Sequence, residues 1–261
     1  MFSTIVSAHD IENNNKGRLS ISMSTNFESS GYQVIDNYLS LEECQHLLAL
    51  ISAYRENNEP VEIHRPMKER SLRYNVIDGD KIKSDFPEVW QLYQEKVFNQ
   101  INEINTKHFI PLENTRVGVN INIMSARRSE YRWHYDRARV TAILYLNEVS
   151  GGETVLYPNY RILLRRKYLK GLQRFLDWCL RIKIIRAVLR KKTVVSPIPG
   201  RMVVMRGNRC WHSVRPVHGD TDRINIILVY DLPGADFPME KGLDSYLYTQ
   251  KKQTSSDPNY G

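Results

Sequence analysis

RVGVNINIM, residues 116–124, is where the pattern of this chain changes. Val117, Val119, Ile121 and Ile123 alternate with Gly118, Asn120, Asn122 and Met124. That period of two predicts a strand with one polar face. Further strands follow at 131–136, 139–147, 153–157, 202–206, 210–217 and 223–231. Upstream the period is helical. Ser40-Leu41-Glu42-Glu43 is a capping box, and the helix it opens runs to about Arg55. That helix is expected to bury Leu41, Cys44, Leu47, Leu48 and Ile51. A second helix starts near Pro87, with Val89, Trp90, Tyr93, Val97, Ile101 and Ile104 at helical spacing. Tyr32–Tyr38 alternates as a strand. Helices first and then a run of strands predict an α+β fold around an antiparallel sheet pair or barrel.

Hydrophobic residues make up 41% of the 261, enough for a packed core. No apolar run reaches membrane-spanning length, and the N-terminus lacks a basic segment followed by a long apolar one. Three cysteines at irregular spacing fit a reducing, cytoplasmic setting. The net charge of +8 is local: residues 161–192 hold twelve Lys/Arg and one acid, Asp177, so the block is +11 and the rest is 8 − 11 = −3. Basic charge spread for nucleic acid is therefore disfavoured. Residues 1–30 are expected to be a disordered leader, 31–233 a domain with a helical insert at 161–192, and 234–261 a C-terminal tail.

Trp133-His134-Tyr135-Asp136 closes one predicted strand. On a strand, His134 and Asp136 project from one face. His212 lies in another strand, Cys210-Trp211-His212-Ser213-Val214. Two imidazoles and a carboxylate can cap one face of an octahedral metal and leave three positions open. This suits non-haem Fe(II) that must also take a chelating cosubstrate and O2. His-x-Asp alone carries little weight. His218, six residues after His212 in a Gly/Asp-containing turn, reads as solvated; His9, His46, His64 and His108 have no companions at ligand spacing, and Cys210 reads as a packed residue.

The surroundings of the triad carry a resemblance. Ala142-Ile143-Leu144-Tyr145-Leu146-Asn147 precedes Gly151-Gly152-Glu153-Thr154, and Pro197-Ile198-Pro199-Gly200-Arg201-Met202-Val203-Val204-Met205 leads into His212. Arg223 follows eleven residues after His212. In this order the set resembles the Fe(II)/2-oxoglutarate-dependent dioxygenases, and among them the prolyl 4-hydroxylase-like branch, over Tyr32 to Pro233. The resemblance implies a double-stranded β-helix, a jelly-roll or cupin-like barrel, with N-terminal supporting helices. It implies His134, Asp136 and His212 as iron ligands and Arg223 as the partner of the distal carboxylate of 2-oxoglutarate, a task that suits a guanidinium fork. Tyr145 matches a tyrosine that bonds the same carboxylate in some members. Asn122, on the polar face of its strand, could meet 2-oxoglutarate or substrate; Asn225 is a weaker candidate for the same. The implied reaction couples decarboxylation of 2-oxoglutarate to oxidation of a C–H bond, with O2 consumed, succinate and CO2 released, and ascorbate in support. Related halogenases have a small residue at the carboxylate position. Asp136 therefore favours hydroxylation.

One departure is large. Between Thr154 and Pro197, where compact relatives have a short connection, this chain carries its basic insert. Two helices are predicted, 162–181 and 183–191. On a wheel, Leu164, Tyr168, Leu169, Leu172, Phe175, Leu176, Cys179, Leu180 and Ile182 share one face; Arg166, Lys167, Lys170, Arg174, Asp177 and Arg181 share the other. Two readings stay open. A lid packed on the barrel is preferred, because a soluble protein rarely leaves so wide an apolar stripe bare. The other is an element for a membrane surface or an acidic partner, which would make the protein membrane-peripheral.

The expected function is hydroxylation of an unactivated C–H bond of a small or lipid- or carrier-linked metabolite. The alternative within the class is a peptidyl (prolyl-type) hydroxylase. Outside it, a non-catalytic barrel could bind an acidic partner or membrane through the insert. Nucleic-acid repair of the AlkB type is placed last. Its Arg-x-Asn-x-x-x-x-x-Arg run is met only by Arg223 and Asn225, with Asp231 at the last position.

Overall fold

The computed structural model describes residues 27–65, 72–126, 129–164, 169–182, 184–185, 192–235 and 247–249. Fourteen strands appear among them: β1 Tyr32–Ile35, β2 Val61–Arg65, β3 Leu72–Ile77, β4 Ile110–Pro111, β5 Val119–Met124, β6 Glu130–His134, β7 Val140–Tyr145, β8 Ser150–Gly151, β9 Thr154–Tyr157, β10 Thr193–Val195, β11 Met202–Met205, β12 Trp211–Val214, β13 Val217–His218 and β14 Arg223–Asp231. Their main sheet runs β1-β11-β7-β14-β5-β3-β6-β12-β9-β10, with β2 on β3 and β4 on β14, and these pairings are antiparallel. The sheet curls into a half-barrel, the double-stranded β-helix of an α+β fold.

Period two sorts the barrel wall. Val119, Ile121 and Ile123 of β5, Val140, Ala142 and Leu144 of β7, and Ile224, Ile226, Leu228 and Tyr230 of β14 join one apolar cluster. The helices α1 Leu41–Asn57, α2 Gly79–Asp85, α3 Pro87–Gln91 and α4 Val97–Ile104 cover that face through Cys44, Leu47, Ile51, Ile82, Val89, Val97, Ile101 and Ile104. The alternate residues, Asn120, Asn122, Thr141, Ile143, Arg223, Asn225 and Ile227, line a cavity inside the curl. The polar face of β5 is thus buried too, and it faces a site instead of solvent.

Ser40 accepts from the Glu43 amide, and the Glu43 carboxylate accepts from the Ser40 amide at 2.7 Å. Ser40→Ala should lower the unfolding free energy by about 1 kcal/mol, read from urea titration. Leu41 departs from expectation and is 64% exposed. At 100° per residue it sits roughly 90° around the helix from the Cys44–Leu47–Ile51 line. Between α3 and α4, residues Leu92–Lys96 form a π-turn in which the Val97 amide bonds Leu92 O. That releases the Tyr93 carbonyl, which the Tyr230 hydroxyl takes at 2.8 Å. A buried strand thereby fixes the irregularity of the helix beside it.

The strand expected over Tyr32–Tyr38 ends at Ile35. The following turn brings the amides of Tyr38 and Leu39 to Gly200 O. The hairpin β2–β3 adds to the sequence expectation: exposed Glu62 and His64 alternate with buried Ile63 and Arg65, a period-two run of only five residues. Phe27 is buried within a helical turn at 27–30, so ordered structure begins ahead of the boundary drawn at residue 31. Residues 1–26 of the expected leader lie outside the described residues.

The insert differs most. Its helix, α6, spans Lys170–Arg181, and α5 is the short turn Thr115–Gly118. Residues 161–164 are non-helical, which corrects the predicted start at 162. Tyr168 and Arg166–Lys167 lie outside the described residues, as does most of the expected 183–191 helix. The side turned to the barrel takes residues from the boundary of the two wheel faces, Gln173 and Asp177 with Leu180. Arg161 grips Asp177 through two bonds, Nε at 2.9 Å and Nη2 at 2.5 Å. Gln173 bridges Leu164 N, Ile162 O and Asp177. Tyr160 donates to Leu180 O at 2.7 Å, and Leu180 packs with Tyr135, Tyr160 and Trp211. Leu172 and Phe175, expected to pack inward, are exposed. The ion pair sets this orientation: Arg161 and Asp177 are each only 12% exposed, and two charges taken that far from water must stay together.

Candidate active site

β6 and β12 are neighbours, and His134 stands directly opposite His212 in their register. The two rings lie 4.1 Å apart between centroids. β6 ends at His134, so Asp136 is not held by strand geometry as its spacing predicted. Its amide instead donates to Gly207 O at 3.1 Å, which anchors the turn and brings the carboxylate back. Asp136 Oδ1 then lies 3.3 Å from His134 Nε2 and 3.5 Å from His212 Nε2.

Both histidines are oriented the same way. His134 Nδ1 lies 2.8 Å from Arg132 O, and His212 Nδ1 lies 3.0 Å from Cys210 O. A carbonyl only accepts, so each Nδ1 carries its proton and each Nε2 presents a lone pair toward Asp136 Oδ1. Burial, then the neighbouring His134, pushes His212 down to about 4, so the ring is neutral at pH 7. Burial alone would raise Asp136. The His212 and His134 rings and the Thr141 hydroxyl outweigh it and hold the carboxyl well below the usual range. Three donor atoms converge within 4.8 Å, two imidazole nitrogens and one carboxylate oxygen. That donor set fits a divalent metal with open positions, and no other such cluster occurs among the described residues.

Thr141 donates to Asp136 Oδ2 at 2.6 Å and so reserves Oδ1 for the cluster. Gly207 leaves the space this needs. A Cβ there would stand 2.7 Å from Thr141 Oγ1 and 2.8 Å from Asp136 Oδ2. Gly207→Ala should therefore weaken Fe(II) binding by about 10–100-fold, the range for groups that orient metal ligands. A competition titration with a chelating dye reads this. Unchanged affinity would show that the turn absorbs the methyl group.

Farther along the same cavity, Arg223 is buried. Nη1 donates to Asn225 Oδ1, and Nη2 reaches Thr154 Oγ1 at 3.3 Å. Its Nε has no hydrogen-bond partner, and no carboxylate pairs with it among the described residues. Thr154 also accepts from the Tyr145 hydroxyl at 2.7 Å, so its own proton remains to be donated. The guanidinium lies over the Tyr145 ring, 5.1 Å from its centre. Burial raises Tyr145, against the pull of Arg223, so the phenol is neutral. Asn147 fixes the approach of β14 by donating to Asp222 O and accepting from Ile224 N. Gly152, at φ +66°, clears the arginine; a Cβ would come within 2.8 Å of its Cδ. A buried cation among hydroxyl and amide groups, without an acid, is a cradle for an anion.

The structure thus brings His134, Asp136, His212, Arg223, Asn122 and Asn225 to one cavity. Asn122 and Asn225 are cross-strand partners. Tyr145 stands behind Arg223 and Thr154 and is not part of the cavity wall. Cys210 turns away, its thiol toward Gly31 O and pushed up to about 12 by burial. His46 pairs with Glu88 at the surface. Sequence reasoning missed Thr141, Thr154 and Gly207, although period two from Ile143 could have found the first. It also missed Leu247 and Tyr248. These line the cavity beside Tyr74 and Tyr131, held by Tyr74 donating to Leu247 O and Asn120 donating to the Tyr248 hydroxyl.

Residues 119–230 match the model of the 2OG-Fe(II) oxygenase superfamily. No curated protein matches the chain by sequence. Among solved structures, the non-heme alpha-ketoglutarate-dependent epimerase SnoN from nogalamycin biosynthesis superposes with a TM-score of 0.62 at 13% identity, covering 83% of this chain and 84% of its own. A prolyl hydroxylase from Trichoplax adhaerens, solved with a hypoxia-inducible-factor peptide, gives 0.55 at 17%, covering 87% and 94%. A Pseudomonas putida prolyl-4-hydroxylase gives 0.51 at 16%, covering 82% and 98%. The fold is common to all three, and the sequence match spans the strands that carry the triad and Arg223. The family match thus lies on residues 119–230, and the shared fold agrees with it; both make this chain similar to the 2OG-Fe(II) oxygenase superfamily, whose members work with Fe(II), 2-oxoglutarate and O2.

Proposed function

We propose that this enzyme hydroxylates an unactivated C–H bond of a small or lipid- or carrier-linked metabolite, with His134, Asp136 and His212 holding the iron. Bound there, Fe(II) supplies the activation of O2 that couples decarboxylation of 2-oxoglutarate, giving succinate and CO2, to oxidation of the substrate. The chain's own groups do the positioning. The neutral His212 imidazole and the ionised Asp136 carboxylate are ready for a divalent cation, and His134 turns its Nε2 to the same point. Arg223 receives the distal carboxylate of 2-oxoglutarate, with the Thr154 hydroxyl as second donor and Tyr145 backing the guanidinium. Asn122 and Asn225 offer amide groups to the cosubstrate or substrate from the same wall.

The observation that carries the metabolite reading is the shape of the site. Tyr74, Tyr131, Leu247 and Tyr248 wall the cavity beside the metal-site residues. A walled pocket suits a compact ligand, whereas a peptide needs an open groove. The likeness to prolyl hydroxylases extends to the fold and keeps peptidyl hydroxylation as the competing reading. The deciding experiment incubates Fe(II)-loaded protein with 2-oxoglutarate and O2 and follows succinate and product mass. Acyl and polyketide-type metabolites, free and carrier-bound, are screened against proline-containing peptides. A product heavier by one oxygen from the metabolite panel is expected. The same gain on a peptide alone would replace this reading by the other.

A further inference from the structure

α6 turns Gln173, Asp177 and Leu180 to the barrel and an apolar stripe to the solvent. Leu172, Phe175, Trp178 and Ile182 are 47%, 56%, 60% and 39% exposed. At 100° per residue these positions fall on one side of the helix, opposite Gln173, Asp177 and Leu180. Phe175 and Trp178 lie ring to ring, 6.1 Å apart. Ile162 and Ile184, in the same segment, are exposed too. The helix is not loosely attached, since the Arg161–Asp177 pair and the Tyr160 bond to Leu180 O fasten it. The outward orientation is therefore built in.

We infer that α6 is an interfacial anchor that seats this protein on an anionic lipid bilayer, with Leu172, Phe175, Trp178 and Ile182 entering the headgroup region. The charge around the patch selects this occupant. Residues 161–192 carry twelve Lys/Arg, and their one acid, Asp177, is turned inward and neutralised by Arg161. Arg174 is exposed beside the apolar residues. An outward aromatic and aliphatic stripe within a strongly cationic segment is the composition of helices that lie in the plane of a membrane. Tryptophan in particular favours that boundary. No helix among the described residues is long and apolar enough to cross a membrane, so α6 lies on the surface. A second copy of the chain is a poor occupant, because a two-fold contact through α6 would set one +11 segment against another. Leu180, on the inward side of α6, packs on Tyr135 and Trp211, the chain neighbours of the three metal-site residues, so the helix is seated against the outside of that wall. The inference does not depend on the oxygenase reaction.

The test uses the full-length protein and vesicles of phosphatidylcholine, with or without phosphatidylglycerol. Sedimentation should show binding to the anionic vesicles. Binding should be weaker by about tenfold or more on neutral vesicles or in high salt. Tryptophan emission should shift to the blue on binding, and Trp178→Phe should remove the shift while retaining most of the binding. The double variant Phe175→Glu with Trp178→Glu should keep the wild-type melting temperature and lose binding by about tenfold or more. Failure of the wild-type protein to bind anionic vesicles would overturn the inference, as would unchanged binding by the double variant. A lowered melting temperature in that variant would show that the residues pack on the fold and would overturn it too. A stable wild-type dimer that the variant dissociates would assign the face to a second copy instead.

Discussion

Alanine at position 212 should give a folded protein that neither retains Fe(II) nor turns over 2-oxoglutarate. The three donors that converge on one point come from two strands and one turn. With the imidazole of His212 gone, two ligands remain, and the open positions rise from three to four. Changes that merely reorient a metal ligand already cost about 10–100-fold, so loss of a ligand should exceed that range. Iron content after desalting, measured by atomic emission, should fall to background, and succinate formation should fall with it. The fold has reason to survive. The register of β12 with β9 and β6 is set by backbone bonds on both sides, and alanine makes the same ones. The apoprotein should therefore melt within a few degrees of wild type. A second signature separates metal loss from damage. Saturating metal at 100 times its dissociation constant stabilises a protein by about 2.7 kcal/mol. That rise in melting temperature should appear in wild type and vanish in His212→Ala. Wild-type turnover in the variant would remove His212 from the site.

What the sequence could and could not disclose follows from the range of each interaction. Alternation over Val119–Met124 and Arg223–Asp231 is local, and it separates the helix-covered face from the inner one; Val117 and Gly118, read into the same strand, instead belong to the turn α5, and Val117 lines the cavity. Ordered motifs then brought His134, Asp136, His212 and Arg223 together without any coordinates. The orientation of α6 was not legible, because a helical wheel contains no information about which side meets the protein. The side was set by Arg161 and Asp177, sixteen positions apart and joined only in the folded chain. The same holds for Gly207, whose carbonyl returns Asp136 to the site across seventy-one positions. It holds also for Leu247 and Tyr248, which complete the cavity from a segment that reads as a tail. The π-turn at Leu92–Lys96 has its cause in Tyr230 on a distant strand.

Arg223 makes a prediction with two opposed signs. A buried guanidinium without a carboxylate partner is unfavourable for the empty protein, and only a bound anion compensates it. Arg223→Leu should therefore leave the melting temperature of the metal-free protein unchanged or raise it, a site held ready for a ligand being maintained at the expense of stability. The same substitution leaves the cosubstrate's distal carboxylate without its charged partner. Losing one member of a buried ion pair costs about 3–5 kcal/mol. At about 1.4 kcal/mol per tenfold, 2-oxoglutarate should bind at least two orders of magnitude more weakly. Calorimetric titration of 2-oxoglutarate into metal-loaded variant and wild type reads this directly. Arg215 is no substitute, since it reaches Glu153 at the surface and stays 45% exposed. A melting temperature several degrees lower, with affinity intact, would make Arg223 a structural residue. A change in affinity under threefold would send the search for the carboxylate's partner elsewhere in the cavity. The expected pair, weaker binding without weaker folding, is the signature of a cation kept buried for its ligand.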